Sequence, residues 1–262
     1  MIIKYFLFFV FCSCTDFLLY EESYNSIYIK GEAWVEIGDD TNNIFNNIFS
    51  LELWFSAINN GTTQTILSII DENEKINFGL FINAVNPKII QVRHENLLVD
   101  LIELDNSIYN DSFYSIAIIS HDETDIYING YKRTTIDFPI NIENNIIVLG
   151  AKTNKSHSIL ENYFHGYIDE ARLWNINLDA ESIEFHHHNS NKLSVDSDDS
   201  ILQNLSGLWR FNNSDGNYSY IIQDQTCQAI ISSFDDYICT VDNDAILYTI
   251  NSGSAEYSSK HK

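Results

Sequence analysis

Basic side chains are scarce in this 262-residue chain, and their scarcity excludes several classes of function. Lys and Arg number 14 against 37 Asp and Glu, so the formal net charge is −23. Proteins that bind nucleic acid gain much of their affinity when Lys and Arg neutralise phosphate charge. Nucleic-acid binding is therefore not expected, and adsorption to anionic lipid headgroups is disfavoured for the same reason.

Glycine and proline, which ordinarily supply turns, are also rare, at 10 and 2 residues. The chain instead contains 39 Ile, 30 Asn, 16 Phe and 15 Tyr. Ile, Phe and Tyr favour strands, and Asn tolerates the left-handed backbone of tight turns. An AT-rich genome would produce the same excess of Ile and Asn. Short apolar runs alternate with polar turns every 8–12 residues or so, which is typical of a β-sandwich or barrel.

Long apolar runs are missing after the N-terminus, so no transmembrane helix of roughly 20 residues is expected in the mature chain. Residues 1–14 (MIIKYFLFFVFCSC) have the pattern of an export signal, with Lys4 before an apolar run and small residues after it. Ser13-Cys14 resembles the end of a bacterial lipobox, in which Cys14 would carry a lipid anchor. Phe11 and Cys12 depart from that pattern, so ordinary secretion stays open. We expect a secreted or cell-envelope protein, attached to a membrane only through such an anchor.

Several motifs that carry chemistry are absent. The four cysteines form no Cys-x-x-Cys, so neither a zinc knuckle nor a redox motif is indicated. Cys227 and Cys239 would remain after signal removal, and an even pair in an exported chain predicts a disulfide. Two independent free thiols are the alternative. The chain has no Gly-x-Ser-x-Gly, P-loop or Gly-x-Gly-x-x-Gly.

No internal repeat and no shift in composition marks a second domain, so we predict one domain over residues 15–250. The polar residues 251–262 predict a flexible tail. Asn129-Gly130 lies between alternating strands and predicts a type I′ hairpin. A looser hairpin is expected between residues 51–57 and 64–70. One helix is predicted after the capping residue Asp179, and the three histidines 186–188 are expected to be solvated at its C-terminal end.

Residues 165–175 (HGYIDEARLWN), followed by 178–183 (LDAESI), resemble a segment of the laminin G-like and pentraxin-like jelly rolls of the concanavalin A-like superfamily. That segment combines a glycine, Ile-Asp-Glu, an aliphatic-Arg-aliphatic-Trp strand and a short helix. Weaker landmarks extend the resemblance over residues 20–234. It implies an all-β fold, a two-sheet antiparallel jelly-roll sandwich with one short helix. Within that fold we expect the four tryptophans to pack in the core rather than stack on sugars.

This superfamily includes glycoside hydrolases, so catalysis must be considered. A retaining glycosidase needs two carboxylates about 5 Å apart, which similar folds place on a Glu-x-Asp-x-x-Glu strand. Here only Asp169 and Glu170 remain, and on a regular strand they face opposite sides. We therefore expect no catalytic residues and no enzyme.

The resemblance also implies a cofactor, a structural Ca²⁺ bound by Asp169 and the backbone carbonyl of Gly31. The alternative is that Asp169 only caps or pairs locally, for example with Arg172. A pentraxin-like double calcium site needs two acidic stretches. Asp71–Glu74 can supply the first, but residues 151–155, in the place of the second, lack the needed carboxylates, so such a site is not expected.

The resemblance thus implies an exported or surface-anchored, non-catalytic laminin G-like domain. Its expected partner is a glycan or an extracellular or cell-surface protein. The alternatives are a structural envelope module without a small ligand and a divergent glycoside hydrolase. The sequence does not identify the ligand-binding residues.

Overall fold

The structure is a computed structural model, and it describes residues 26–37, 48–71, 73, 75–95, 97–142, 145–154, 156, 160–194, 200–211, 221–222, 245–249 and 254–258. Within these residues the chain forms two antiparallel sheets of eight strands, a two-stranded ribbon and one α-helix. No helix in this part of the chain has the length and apolar character needed to span a bilayer.

The first sheet has the strand order β10-β9-β8-β3-β14-β1-β18, and β15 pairs with the second half of β14. Its strands are β1 (Ser26–Lys30), β3 (Phe49–Ala57), β8 (Tyr114–Ser120), β9 (Thr124–Ile128), β10 (Tyr131–Ile136), β14 (Gly166–Trp174), β15 (Leu205–Trp209) and β18 (Ser254–Ser258). The late Leu208-Trp209 segment therefore completes the same sheet as the Ile-Asp-Glu strand.

The second sheet has the order β16-β17-β2-β11-β4-β5-β6-β7. Its strands are β2 (Ala33–Ile37), β4 (Gln64–Ile70), β5 (Ile76–Ile82), β6 (Ile89–His94), β7 (Leu97–Glu103), β11 (Ile146–Leu149), β16 (Ile221–Ile222) and β17 (Ala245–Thr249). The ribbon consists of β12 (Lys152–Thr153) and β13 (Leu160–Glu161).

The main core lies between the two sheets, because alternate side chains of each strand point inward. Its aliphatic and aromatic residues come from both sheets, for example Ile27 and Phe55 from the first and Val35 and Leu80 from the second. A second apolar cluster covers the outer face of the first sheet, where Trp174 meets Ile183 of α1 (Ala180–His188) and Leu205. The helix is thus a third layer on that face.

Local turn chemistry confirms two of the sequence predictions. Asn129 and Gly130 both have positive φ, of 53° and 81°, as a type I′ turn requires. Asp179 caps α1, since its carboxylate accepts the backbone N–H of Ser182 at 2.7 Å.

Two other predictions are wrong. Residues 51–57 and 64–70 do not form a hairpin, because β3 belongs to the first sheet and β4 to the second. The intervening loop crosses the sandwich, and Ile58 N–H donates to the His165 carbonyl at 2.7 Å. The tail is not wholly irregular either, because Ser254–Ser258 forms β18 and pairs along all of β1. This pairing satisfies the backbone groups on the side of β1 that faces away from β14, and local sequence does not reveal it.

Candidate functional site: an aromatic surface on the first sheet

Three rings gather on the outer face of the first sheet, and we call Tyr28, His165 and Tyr167 the aromatic surface. Tyr28 of β1 lies directly opposite Tyr167 of β14 in the strand register. Their ring centroids are 5.0 Å apart, and the His165 ring lies 5.7 Å from that of Tyr28. All three side chains are partly exposed. The sheet therefore brings three partly exposed ring side chains together at one place on its outer face.

Backbone contacts hold His165 just before β14 begins. Its N–H donates to Oε1 of Gln64 at 2.7 Å, and its carbonyl accepts the N–H of Ile58. Gln64 is itself fixed, since its Nε2 donates to the Ile58 carbonyl at 2.8 Å. The imidazole position thus depends on the loop that crosses between the sheets.

Gly166 is required for the close approach of β14 to β3. Its φ is +152°, and a Cβ at this position would lie 2.1 Å from the carbonyl oxygen of Ser56. No side chain fits that space, so the glycine fixes the start of the strand that carries Tyr167.

The imidazole of the aromatic surface favours its neutral form. Burial lowers the pKa of His165 below its ordinary value, and the nearby positive charge of Lys30 lowers it further. Nε2 lies 2.8 Å from the Tyr28 hydroxyl, within hydrogen-bonding distance. The surface therefore offers neutral hydrogen-bonding groups beside its ring faces at pH 7.

A second polar cluster, formed by Glu52 of β3 and His186 of α1, is buried between the same sheet and the helix. His186 Nδ1 is 3.0 Å from Oε1 of Glu52, and its Nε2 is 2.9 Å from the carbonyl of Leu193. Trp174 Nε1 donates to the other Glu52 oxygen at 2.9 Å. His186 is only 1 % exposed. The expectation that all three histidines are solvated is therefore wrong for His186, which lies one turn from Ile183 on the buried face of the helix.

A bulge in β14 decides where its carboxylates lie. Ile168 pairs with Phe55 but Ala171 with Leu53, so Asp169 and Glu170 together oppose one residue of β3. The bulge places Glu170 on the outer face, where it binds Arg172. The regular alternation expected for Asp169 and Glu170 is thus interrupted. Both carboxylates are 2 % exposed, so neither lies at an accessible surface.

The structure does not bring Asp169 and Gly31 together. Ile29 pairs with Gly166 and Ile27 with Ile168, so Gly31 and Asp169 lie beyond opposite ends of this pairing. Continuing the register separates them by about five residues, or roughly 17 Å along the strands. One calcium ion needs oxygen ligands at about 2.3–2.6 Å. This pair therefore does not fit a shared ion.

Another group of possible metal ligands does come together in the β8–β9 hairpin. Donor atoms of His121, Glu123 and Asp125 lie within 4.8 Å of one another. The ammonium of Lys132 is 2.6 Å from Asp125, so this carboxylate already carries a positive partner. Calcium also favours six or more oxygen ligands. This set of three donors therefore does not fit calcium.

The remaining predicted site residues divide into two groups. Trp34, Trp54, Trp174 and Trp209 are at most 3 % exposed, which confirms core packing. Cys14, Cys227 and Cys239 lie outside the described residues, as do residues 1–14, Glu72 and Glu74 of the acidic loop. The aromatic surface was missed, because its tyrosines lie 139 positions apart and meet only through strand register.

Comparison with known proteins identifies the family. A family model described as the concanavalin A-like lectin/glucanases superfamily matches residues 30–184, more than half of the chain. The chain belongs to this superfamily. The jelly-roll resemblance drawn from residues 165–183 is thereby confirmed, as is the two-sheet β-sandwich. No curated protein matches the chain significantly.

Solved structures share this fold at low sequence identity. A candidate carbohydrate-binding protein from Bacteroides ovatus has a TM-score of 0.56 at 15 % identity, over 88 % of this chain and 59 % of its own. The chain thus spans little more than half of that protein. A heptameric SAP-like pentraxin from Limulus polyphemus has a TM-score of 0.52 at 12 % identity, over 64 % of this chain and 83 % of its own. At such identities the likeness establishes the fold alone.

Proposed function

We propose that this superfamily member binds a glycan through the aromatic surface and does not act on it chemically. The observation that carries the proposal is the pair of partly exposed tyrosines, Tyr28 and Tyr167, with centroids 5.0 Å apart beside His165. The C–H faces of a pyranose ring are apolar and pack on aromatic faces, while its hydroxyls need hydrogen-bonding partners. Tyrosine supplies both an apolar body and a polar tip.

Electrostatics around the three rings favours a neutral sugar ligand. The imidazole of His165 prefers its uncharged form, because burial and Lys30 both lower its pKa. Neutral imidazole and phenol groups exchange hydrogen bonds with hydroxyls without the large desolvation cost of an ion. Stacking area and a few fixed polar groups are the usual basis of recognition at small-ligand sites.

The absence of catalysis belongs to the same proposal. Glycoside hydrolysis by a carboxylate pair requires both groups to reach the glycosidic bond. Glu52 and Glu170 are each 2 % exposed, and both contact the guanidinium of Arg172. Two carboxylates held in this way stabilise the fold and cannot reach a polysaccharide.

Family membership supports a lectin-like function, and so does the similarity to the candidate carbohydrate-binding protein from Bacteroides ovatus. The proposal also includes export to the cell envelope or exterior, with Cys14 as a lipid anchor and a Cys227–Cys239 disulfide. These rest on the sequence pattern alone.

A glycan array tests the proposal directly. The full chain is expected to bind a restricted set of glycans, with and without calcium. Tyr167→Ala should lose the binding, whereas Tyr131→Ala, at an exposed tyrosine of β10, should keep it. Absence of any binding would refute glycan recognition, and equal binding by both variants would refute the assigned surface. Release of reducing sugar from polysaccharides would show that the protein is an enzyme.

A further inference from the structure

The loop between β3 and β4 carries an Asn-x-Thr sequence, formed by Asn60 and Thr62, whose side chains are both exposed. The loop is fixed at its two ends. The backbone N–H groups of Ile58 and Thr65 donate to carbonyls of residues 162–165, each at 2.7 Å. The sequence therefore lies at the surface on a loop that the sandwich holds in place.

The two polar side chains of this sequence contact each other. Oδ1 of Asn60 accepts the backbone N–H of Thr62 at 3.0 Å and the Thr62 hydroxyl at 2.9 Å. Nδ2 lies on the other side of the amide, donates to the Tyr163 carbonyl at 3.3 Å and keeps a second N–H. A Cβ built on the intervening Gly61 would have no other described atom within 4 Å, so the turn is open.

We propose that Asn60 is a modification site, at which an oligosaccharide is attached through Nδ2. This proposal rests on the export that forms part of the proposed function. Asn-x-Ser/Thr, with x other than Pro, is the acceptor sequence for N-linked oligosaccharides in surface loops of secreted proteins. The amide oxygen of Asn60 is held by the hydroxyl that this sequence requires, while the amide nitrogen keeps an N–H for the reaction.

The sugar donor is an oligosaccharide whose C1 carries a lipid diphosphate, and a transferase of the secretory pathway catalyses the step. Nδ2 of Asn60 forms a bond to C1 and gives up one proton. The bond between C1 and the diphosphate oxygen breaks, and the lipid diphosphate leaves with the electron pair. The amide keeps its carbonyl and one N–H, so Oδ1 can still accept both hydrogen bonds from Thr62.

Burial separates Asn60 from the other Asn-x-Ser/Thr sequences that the structure describes. Asn154 is 2 % exposed, which leaves no room for a sugar. Asn204 is partly buried, and the serine two residues later is 7 % exposed. Asn110 is exposed, but its Nδ2 donates at 3.1 Å to the hydroxyl of Tyr114, which is 6 % exposed. Among these sequences Asn60 combines an exposed amide, an exposed hydroxyl and open surroundings.

The test expresses the full chain in a eukaryotic secretory host, once with its own residues 1–14 and once with an established signal peptide in their place. Peptide N-glycosidase in heavy-oxygen water converts each glycosylated Asn into labelled Asp, which mass spectrometry locates. We expect label at Asn60 and none at Asn154. Label at Asn60 with the established signal alone would support the site and refute export by residues 1–14. An unlabelled Asn60 in protein secreted by the established signal would overturn the proposed site.

Variants of the loop test the acceptor sequence itself. Thr62→Ala should abolish the label at Asn60, because the required hydroxyl is lost, and Thr62→Ser should restore it. Thr63→Ala is the matched control, since this neighbouring threonine lies outside the acceptor sequence and its removal should leave the label intact. Equal labelling of Thr62→Ala and Thr63→Ala would overturn the proposal. Asn60→Gln should lose one oligosaccharide in mass but bind the glycan array as the wild type does, so the two proposals can fail separately.

Discussion

Glu52 and His186 form a buried hydrogen-bonding pair between the first sheet and the helix that covers it, with Nδ1 3.0 Å from Oε1. The second ring nitrogen faces the carbonyl of Leu193, which can only accept a hydrogen bond. Both ring nitrogens therefore lie within hydrogen-bonding distance of an oxygen acceptor. The pair connects residues 134 positions apart and attaches α1 and the segment after it to β3.

Removing the carboxylate charge should destabilise the protein strongly. Glu52→Gln removes the buried anion that lies against His186, Trp174 and Arg172, although Arg172 keeps its ion pair with Glu170. We expect a loss of about 3 kcal/mol in the free energy of unfolding, measured by urea denaturation. Glu161→Gln is the control, since Glu161 pairs with Lys152 at the surface, and it should cost less than about 0.5 kcal/mol. Equal losses for the two variants would contradict the role of the buried pair.

Acid should weaken the wild-type protein through the same carboxylate. Burial alone would raise the pKa of Glu52, but His186, Arg172 and the Trp174 N–H hold it below its ordinary 4.5. A lowered folded pKa adds stability that is complete above the unfolded value and is lost as pH falls through the folded value. The urea midpoint should therefore drop below pH 4.5 or so, and less steeply in Glu52→Gln. Parallel pH profiles for the two proteins would refute this assignment.

Sequence patterns predicted the strands, the type I′ turn and the helix, because each depends on residues near one another in the chain. The prediction that His186 is solvated was wrong, because its partner Glu52 lies 134 positions away in the sequence and meets it only in the fold. Tyr28 and Tyr167 likewise meet only in the fold. The Gly31–Asp169 calcium pair was inferred from family resemblance, and the register of β1 against β14 separates the two residues.

Gly166, at the start of β14 beside the aromatic surface, should not tolerate a larger side chain. Gly166→Ala would place a Cβ 2.1 Å from the Ser56 carbonyl oxygen and 3.0 Å from the Ala57 Cα, both backbone atoms. We expect at least about 2 kcal/mol of destabilisation. Gly61→Ala has positive φ but nothing within 4 Å, so it should cost only about 1 kcal/mol of backbone strain. Thermal melts of both variants measure the difference, and equal melting temperatures would contradict it.

Asp169 should not mediate any effect of calcium on stability. The register separates it from Gly31, so Asp169→Asn is expected to respond to added calcium and to chelator as the wild type does. Differential scanning fluorimetry of both proteins, each with chelator and with calcium, provides the comparison. A calcium-dependent rise in melting temperature that is present in the wild type and lost in Asp169→Asn would restore this residue as a ligand.

Glycan binding should weaken as pH falls, because His165 must stay neutral. Burial and Lys30 already lower its pKa, and a sugar stacked on the aromatic surface would remove further water from the ring. Binding is then linked to the deprotonated imidazole, so affinity is full above the pKa of free His165 and falls as pH drops through it. Titrations of the array-identified glycan between pH 8 and 5 measure this. Lys30→Gln removes the repelling charge and should move the midpoint to higher pH, and an unchanged midpoint or a flat profile would show that His165 does not contact the ligand.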